Sequence, residues 1–75
     1  MKALVLVHLA QGKERSYLQA VKKAKGVKMA VLTTGRYDAV VEVEASSFDD
    51  IINNVLGGVR GAGGVTSSET LFEVE

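Results

Sequence analysis

The residues best suited to ligand chemistry lie in one short segment, Thr34-Gly35-Arg36-Tyr37-Asp38, between two apolar stretches. Gly35 can adopt a positive φ and lets a ligand approach the backbone closely, so that exposed peptide N–H groups can hold a carboxylate. Asp38 could then accept a hydrogen bond from an α-ammonium group. Plainer interpretations stay open, because glycine is common in turns and Asp38 is equally able to cap its own turn. Tyr37 is expected to pack with its hydroxyl at the surface.

A catalytic site, as in a small monooxygenase or isomerase, would use His8, Tyr17 and Glu42 in a cavity between a sheet and a helix. No second partner for His8 stands at a recognisable spacing, and the sequence contains no cofactor motif. We therefore expect His8 to be a semi-buried polar residue. With no cysteine and one histidine, the composition also argues against a metal site. The expectation is a protein without enzymatic activity and without a cofactor.

Other binding classes find little support in the sequence. Four glycines between positions 58 and 64 follow a helical segment rather than a strand, which is the wrong context for a phosphate-binding loop. The lysine cluster between Lys22 and Lys28 has no interleaved aromatic residues, and the formal net charge is zero, so direct nucleic-acid binding is not expected. The first apolar run is too short to span a membrane, which predicts a cytoplasmic protein without membrane contact.

The spacing of apolar residues predicts the elements that must position these groups. Residues 2–9 are apolar in both alternating sets, which is typical of a strand buried on both faces. An amphipathic helix follows and ends at Gly26, and a second helix begins at the capping residues Ser46 and Ser47. Gly57-Gly58 should weaken the last turn of that second helix. The three further strands are predicted at residues 27–33, 38–45 and 65–75.

The order strand, helix, strand, strand, helix, strand predicts a single α+β domain over residues 1–75. Two right-handed crossovers joined by a hairpin give a ferredoxin-like βαββαβ fold, a four-stranded antiparallel sheet with two helices on one face. The other face would carry apolar residues of the first strand together with Val40 and Leu71. Because a chain of 75 residues buries only about 60% of its unfolded surface, we expect a second subunit to cover that face in a dimeric α/β assembly.

Three landmarks of the sequence occur in order within this frame: Gly26-Val27, the 34–38 segment, and Gly64-Val65-x-x-Ser68-x-Thr70. Together they resemble the regulatory ligand-binding domain of the Lrp/AsnC transcription regulators, often called the RAM domain. The resemblance spans nearly the whole chain. Met1 leads directly into the first strand, so the similarity is to the stand-alone form that lacks the helix-turn-helix.

The resemblance implies a function and a set of partners. Such domains form homodimers through their sheets, assemble into rings, and bind an amino-acid effector where dimers meet. The implied activity is effector sensing that modulates full-length Lrp/AsnC regulators or enzymes of amino-acid metabolism. The ACT domain, a related amino-acid-binding module, remains an alternative, although its effector-loop glycines would fall where this chain has only Gly12.

The resemblance also implies which residues contact the effector. The family places hydroxyl groups of the last strand near the ligand, and Ser68 and Thr70 occupy those positions, with Ser68 standing where threonine is commoner. Without the resemblance, both would be explained by the preference of strands for such residues. The ligand-binding set implied in this way comprises Thr34, Gly35, Tyr37, Asp38, Ser68 and Thr70.

Overall fold

The computed structural model describes residues 1–74, which form four strands and two helices in the order βαββαβ. The second helix, α2, has a π-helical middle between two α-helical ends. The strands are β1 (Lys2–Leu9), β2 (Val27–Leu32), β3 (Ala39–Glu44) and β4 (Val65–Phe72), and the helices are α1 (Glu14–Val21) and α2 (Phe48–Asp50, Ile51–Val55 and Leu56–Gly61).

All neighbouring strands are antiparallel, in the order β2-β3-β1-β4, so β1 and β3 are central. The register pairs Val5 of β1 with Val41 of β3 and with Thr70 of β4. This is the predicted ferredoxin-like α+β fold. No helix in the described part of the chain is long and apolar enough to cross a membrane.

The core lies between the sheet and the helices. Alternate residues of the central strands point to this side, and β-branched side chains such as Val5, Val7 and Val41 are completely buried there. The helices complete the core with Tyr17 and Ile51, which are also fully buried. Because each buried aliphatic side chain contributes roughly 1.5–3 kcal/mol, the helix-facing side provides most of the apolar stabilisation available to so small a domain.

Helix α1 is shorter than the sequence predicts, because it ends at Val21 rather than at Gly26. The next residues form tight turns, with the Ala24 N–H donating to the Val21 carbonyl at 3.0 Å. Gly26 then adopts a φ of +82°, and its carbonyl accepts from the Glu44 N–H at 2.8 Å. The helix stops early because the chain must turn here to enter β2, which pairs with β3.

Helix α2 begins as predicted, since the Ser47 hydroxyl accepts from the Asp50 N–H at 3.1 Å. The helix continues through Gly57-Gly58 to Gly61, and the predicted weakness of its last turn stays a prediction. The irregularity of the helix is a π-helical turn over Ile51–Val55, which lets Ile51, Val55 and Leu56 all lie in the core.

Strand β4 is also shorter than predicted. It ends at Phe72 rather than continuing to residue 75, and Glu75 lies outside the described residues. The remaining strand boundaries agree with the sequence prediction to within one residue at each end.

The sheet surface that points away from the helices, called the outer face here, carries the predicted apolar residues, although carboxylates of β3 and β4 also lie on it. Leu4 of the central strand β1 and Leu71 of the edge strand β4 are neighbours there and remain 40% and 47% exposed, while Val40 is half-buried. Strand β2 adds Met29 and Val31 to this face, and these residues are 43% and 40% exposed. The dimer that would cover this face remains a prediction at this point.

Replacing Gly26 by alanine should reduce the free energy of unfolding by about 2 kcal/mol or more. The new Cβ atom would lie 2.7 Å from Val55 Cγ2, in a backbone conformation that already disfavours side chains. Gly35→Ala is the matched control, because its φ is +98° but no atom lies within 4 Å of the added carbon, so only backbone strain of about 1 kcal/mol is expected. Urea unfolding measures both variants, and an equal loss of unfolding free energy in Gly26→Ala and Gly35→Ala would contradict the close packing at Gly26.

Candidate functional site

The 34–38 turn connects β2 to β3 and is closed by two hydrogen bonds at its base. The Thr33 N–H donates to the Asp38 carbonyl at 2.9 Å, and the Thr33 hydroxyl donates to the Tyr37 carbonyl at 2.8 Å. At the tip, Thr34 and Gly35 are exposed. Gly35 has a φ of +98°, and no atom lies within 4 Å of the place where a Cβ atom would stand. The geometry leaves the backbone of the tip accessible to a small molecule.

Asp38 attaches the turn to the end of β1. Its Oδ2 accepts from the Leu9 N–H at 2.8 Å, and its own N–H donates to the Val7 carbonyl at 2.9 Å. The pairing of β1 with β3 ends at Val7 and Ala39, so the carboxylate takes the place of a backbone acceptor for Leu9. Asp38 therefore caps β1 rather than its own turn. Among the hydrogen bonds of the described residues none involves its Oδ1, so one carboxylate oxygen is available to a ligand.

Tyr37 attaches the same turn to the outer face. Its ring packs on His8 with 4.7 Å between ring centroids, and its hydroxyl donates to Glu69 Oε1 at 2.5 Å. The hydrogen bond to the Glu69 carboxylate is the main cause that raises the pKa of Tyr37, and desolvation adds to it. Tyr37 thus packs with a polar tip, and His8 is half-buried, both as the sequence predicts.

Ser68 and Thr70 lie on the other side of β4, facing the helices. Ser68 Oγ accepts from Arg60 Nε of α2 at 3.2 Å, and farther along the same side the ring of Phe72 packs against Phe48. The Thr70 hydroxyl is buried and has no hydrogen-bond partner among residues 1–74. A buried polar atom without a partner costs about 1–3 kcal/mol and calls for an explanation.

The six residues implied by the resemblance therefore form two groups within one chain. Thr34, Gly35, Tyr37 and Asp38 lie together in the turn, while Ser68 and Thr70 lie across β4 from the Tyr37 ring. Sequence reasoning missed Glu69. The signal was available in the sequence, because Glu69 lies between Ser68 and Thr70 on β4. Strand alternation therefore places it on the opposite face from these two residues, which is the face of His8.

The residues of the enzymatic alternative are not brought together. Tyr17 is completely buried between sheet and helices, where its hydroxyl donates to the Val59 carbonyl at 3.0 Å. Burial raises the pKa of Tyr17 to about 12, so the hydroxyl stays protonated near neutral pH. His8 and Glu42 lie on the opposite, outer face. The described residues also contain no group of three or more His, Asp or Glu side chains able to hold a metal ion.

Solved structures with the same fold come from several sources. FFRP-DM1 shares 26% identity with the chain and superimposes with a TM-score of 0.88, and 97% of each chain is covered. The hypothetical protein PHS023 from Pyrococcus horikoshii shares 26% identity with a TM-score of 0.87, over 99% of this chain and 89% of its own. No curated protein matches the sequence significantly.

More distant structures share the fold alone. The regulator NMB0573 from Neisseria meningitidis, solved as its L-Met complex, has 18% identity and a TM-score of 0.68, over 99% of this chain and 49% of its own. The dehydrochlorinase TftG from Burkholderia phenoliruptrix has 16% identity and a TM-score of 0.53, over 97% of this chain and 93% of its own. The fold therefore occurs in both a regulator and an enzyme, and fold alone does not identify a function.

The family relationship itself rests on the sequence. The family model described as the Lrp/AsnC ligand binding domain matches residues 2–75, which is nearly the whole chain. The three landmarks that carry the resemblance also have structural roles, since Gly26 and Gly64 adopt positive φ values and pack closely against Val55 and Lys13. The chain belongs to the Lrp/AsnC ligand-binding domain family.

Proposed function

We propose that this chain is an effector-sensing domain that binds an amino acid at a contact between subunits and has no catalytic role. The observation that carries the proposal is the 34–38 turn, whose tip is open while its base is held to β1 and β4. Asp38 and Tyr37 provide those attachments at 2.8 Å and 2.5 Å. A rigid base with an accessible tip is the arrangement in which little conformational entropy is lost on binding.

The chemistry of the turn suits a zwitterionic ligand. Backbone N–H groups around Gly35 can donate to a carboxylate, and the second carboxylate oxygen of Asp38 can accept from an ammonium group. Membership of the Lrp/AsnC ligand-binding domain family supports a small-molecule effector, and the Neisseria regulator, which has the same fold and was solved with L-Met, suggests an amino acid as the class to test. The identity of the side chain that is preferred remains for experiment.

We further propose that one pocket is built by two copies of the chain. Ser68 and Thr70 face the helices, whereas Tyr37 lies on the outer face, so a ligand that contacts both groups is most simply held by the turn of one copy and β4 of another. The Thr70 hydroxyl supports this arrangement, since a polar ligand atom would give it the partner that it lacks among residues 1–74.

The outer face supplies a second contact between copies. Its exposed apolar residues would be covered by another subunit, which also adds the burial that a domain of 8.0 kDa lacks. Assembly through two different surfaces gives higher oligomers, which close into rings when the symmetry permits. Such an assembly would modulate full-length regulators of the family, or enzymes of amino-acid metabolism, through contacts that change when the effector binds.

A thermal-shift screen of the twenty amino acids tests the ligand class. At about a hundred times its dissociation constant, a bound amino acid should stabilise the folded assembly by roughly 2.7 kcal/mol per site, which is several degrees for a domain of this size. Asp38→Asn should lose the shift, because it removes the charge while keeping an oxygen for the Leu9 N–H. The control is Glu73→Gln, which removes an exposed carboxylate that directly follows β4. The sensing proposal fails if no amino acid moves the wild-type melt.

Thr70→Val tests the second half of the pocket. Valine has the shape of threonine without the unpaired hydroxyl, so the free energy of unfolding without ligand should stay constant or rise by about 1 kcal/mol. The ligand-induced shift should decrease. Thr66→Val is the control, because the Thr66 hydroxyl donates to the His8 carbonyl and its loss should destabilise the fold. A destabilised Thr70→Val protein with an intact ligand shift would contradict the proposed contact.

Self-association is tested by light scattering at micromolar concentration, where the chain should be at least a dimer. Val40→Lys should reduce the mass or the melting temperature, because it brings an unpaired ammonium group into the outer-face contact. Gln19→Lys adds the same charge to exposed α1 and should change neither. A wild-type monomer near 8.0 kDa, or an unchanged Val40→Lys protein, would show that the outer face is not an interface.

A further inference from the structure

We infer that Glu69 is a positioning residue for the 34–38 turn, and that it acts by holding the Tyr37 side chain across β1. Glu69 belongs to neither group of residues implied by the family resemblance. Its effect on ligand affinity rests on the proposed function, whereas its effect on the turn does not. The two parts can therefore be tested separately.

The turn has two lateral attachments, and they differ in kind. Asp38 reaches the neighbouring strand β1, where it bonds to the Leu9 backbone. Tyr37 reaches one strand farther, because its ring lies on His8 of β1 and its hydroxyl meets Glu69 of β4. Among the hydrogen bonds of the described residues, the Tyr37–Glu69 bond is the one that joins the turn to β4.

Strand order explains why this bond matters. The turn leaves the sheet between β2 and β3, while β4 is the edge strand on the far side of β1. Gly35, at the tip, has a positive φ and no neighbour within 4 Å of its side-chain position, so packing does not restrict its backbone. If Glu69 releases Tyr37, the segment from Thr34 to Tyr37 keeps only the hydrogen bonds at its base and the ring contact with His8, and its backbone regains conformational freedom.

Three groups face the Tyr37 side chain: the Glu69 carboxylate of β4 bonds to its hydroxyl, the His8 ring of β1 packs against its ring, and the charge of Arg36 in the turn acts on its hydroxyl. The hydrogen bond and the negative charge of Glu69 raise the pKa of Tyr37, whereas the positive charge of Arg36 lowers it. Removing the Glu69 carboxylate must therefore lower the pKa of Tyr37 if the bond persists in solution.

Alkaline titration of tyrosinate absorbance measures the contact directly. The chain has two tyrosines and no tryptophan, and the pKa of the other tyrosine, Tyr17, is raised to about 12. Tyr37→Phe assigns the transition of Tyr37 by removing it. Glu69→Gln should move that transition to lower pH, and Glu73→Gln should leave it in place. A midpoint that does not move in Glu69→Gln would overturn the inference.

Amide hydrogen exchange near neutral pH tests the positioning role without alkaline conditions. Glu69→Leu should accelerate exchange at residues 34–37 several-fold while core amides of β1 and β3 keep their protection. Glu69→Gln should restore part of the protection, because its amide oxygen still accepts from Tyr37. Glu73→Leu should change nothing in the turn. Unchanged exchange in Glu69→Leu would mean that the turn is held without Glu69.

L-methionine is the probe that tests whether the loss of Glu69 weakens ligand binding. If it shifts the wild-type melt, its dissociation constant should increase in Glu69→Leu by about the factor by which the population of the ordered turn falls. Equal affinity in the two proteins, with a disordered turn, would overturn the role of Glu69 in binding. If no amino acid binds the wild type, the proposed function fails, while titration and exchange still decide whether Glu69 positions the turn.

Discussion

Strand β1 pairs with β3 along one edge and with β4 along the other, and the candidate site depends on this double pairing. The Leu9 N–H at its end binds Asp38, and His8 supports the Tyr37 ring. A shift of one residue in this register would exchange the two faces of β1, moving Val5 out of the core and His8 into it. The register of β1 therefore specifies where the turn meets the sheet, as well as which side chains of β1 enter the core.

The helices cover one side of the sheet and leave the other side partly exposed. Val5 and Val7 are fully buried beneath the helices, while Leu4 on the outer face keeps 40% of its surface exposed. The elements of the described residues form two layers, the sheet and the helices. The proposed self-association and the proposed effector binding would therefore depend on the same strands, which build the core and also carry the turn and the outer face.

Much of the fold could be predicted from the sequence, because apolar periodicity and glycine positions are local signals. The strands, the Ser47 cap and the turn around Gly35 were all identified in this way. The early end of α1 and the π-helical turn at Ile51–Val55 could not, since both follow from how the helices pack on the sheet. Likewise, Glu69 stands 32 residues from Tyr37, and only the register of β4 against β1 brings them together.

The central claim is that one effector pocket combines the turn of one copy with β4 of another. It is tested most directly by refolding Asp38→Asn chains and Thr70→Val chains together in equal amounts and titrating the mixture calorimetrically with an amino acid that the wild type binds. A shared pocket predicts that roughly a quarter of the wild-type sites return, because some pockets then combine two intact halves. A mixture that binds no better than either variant alone would contradict the account.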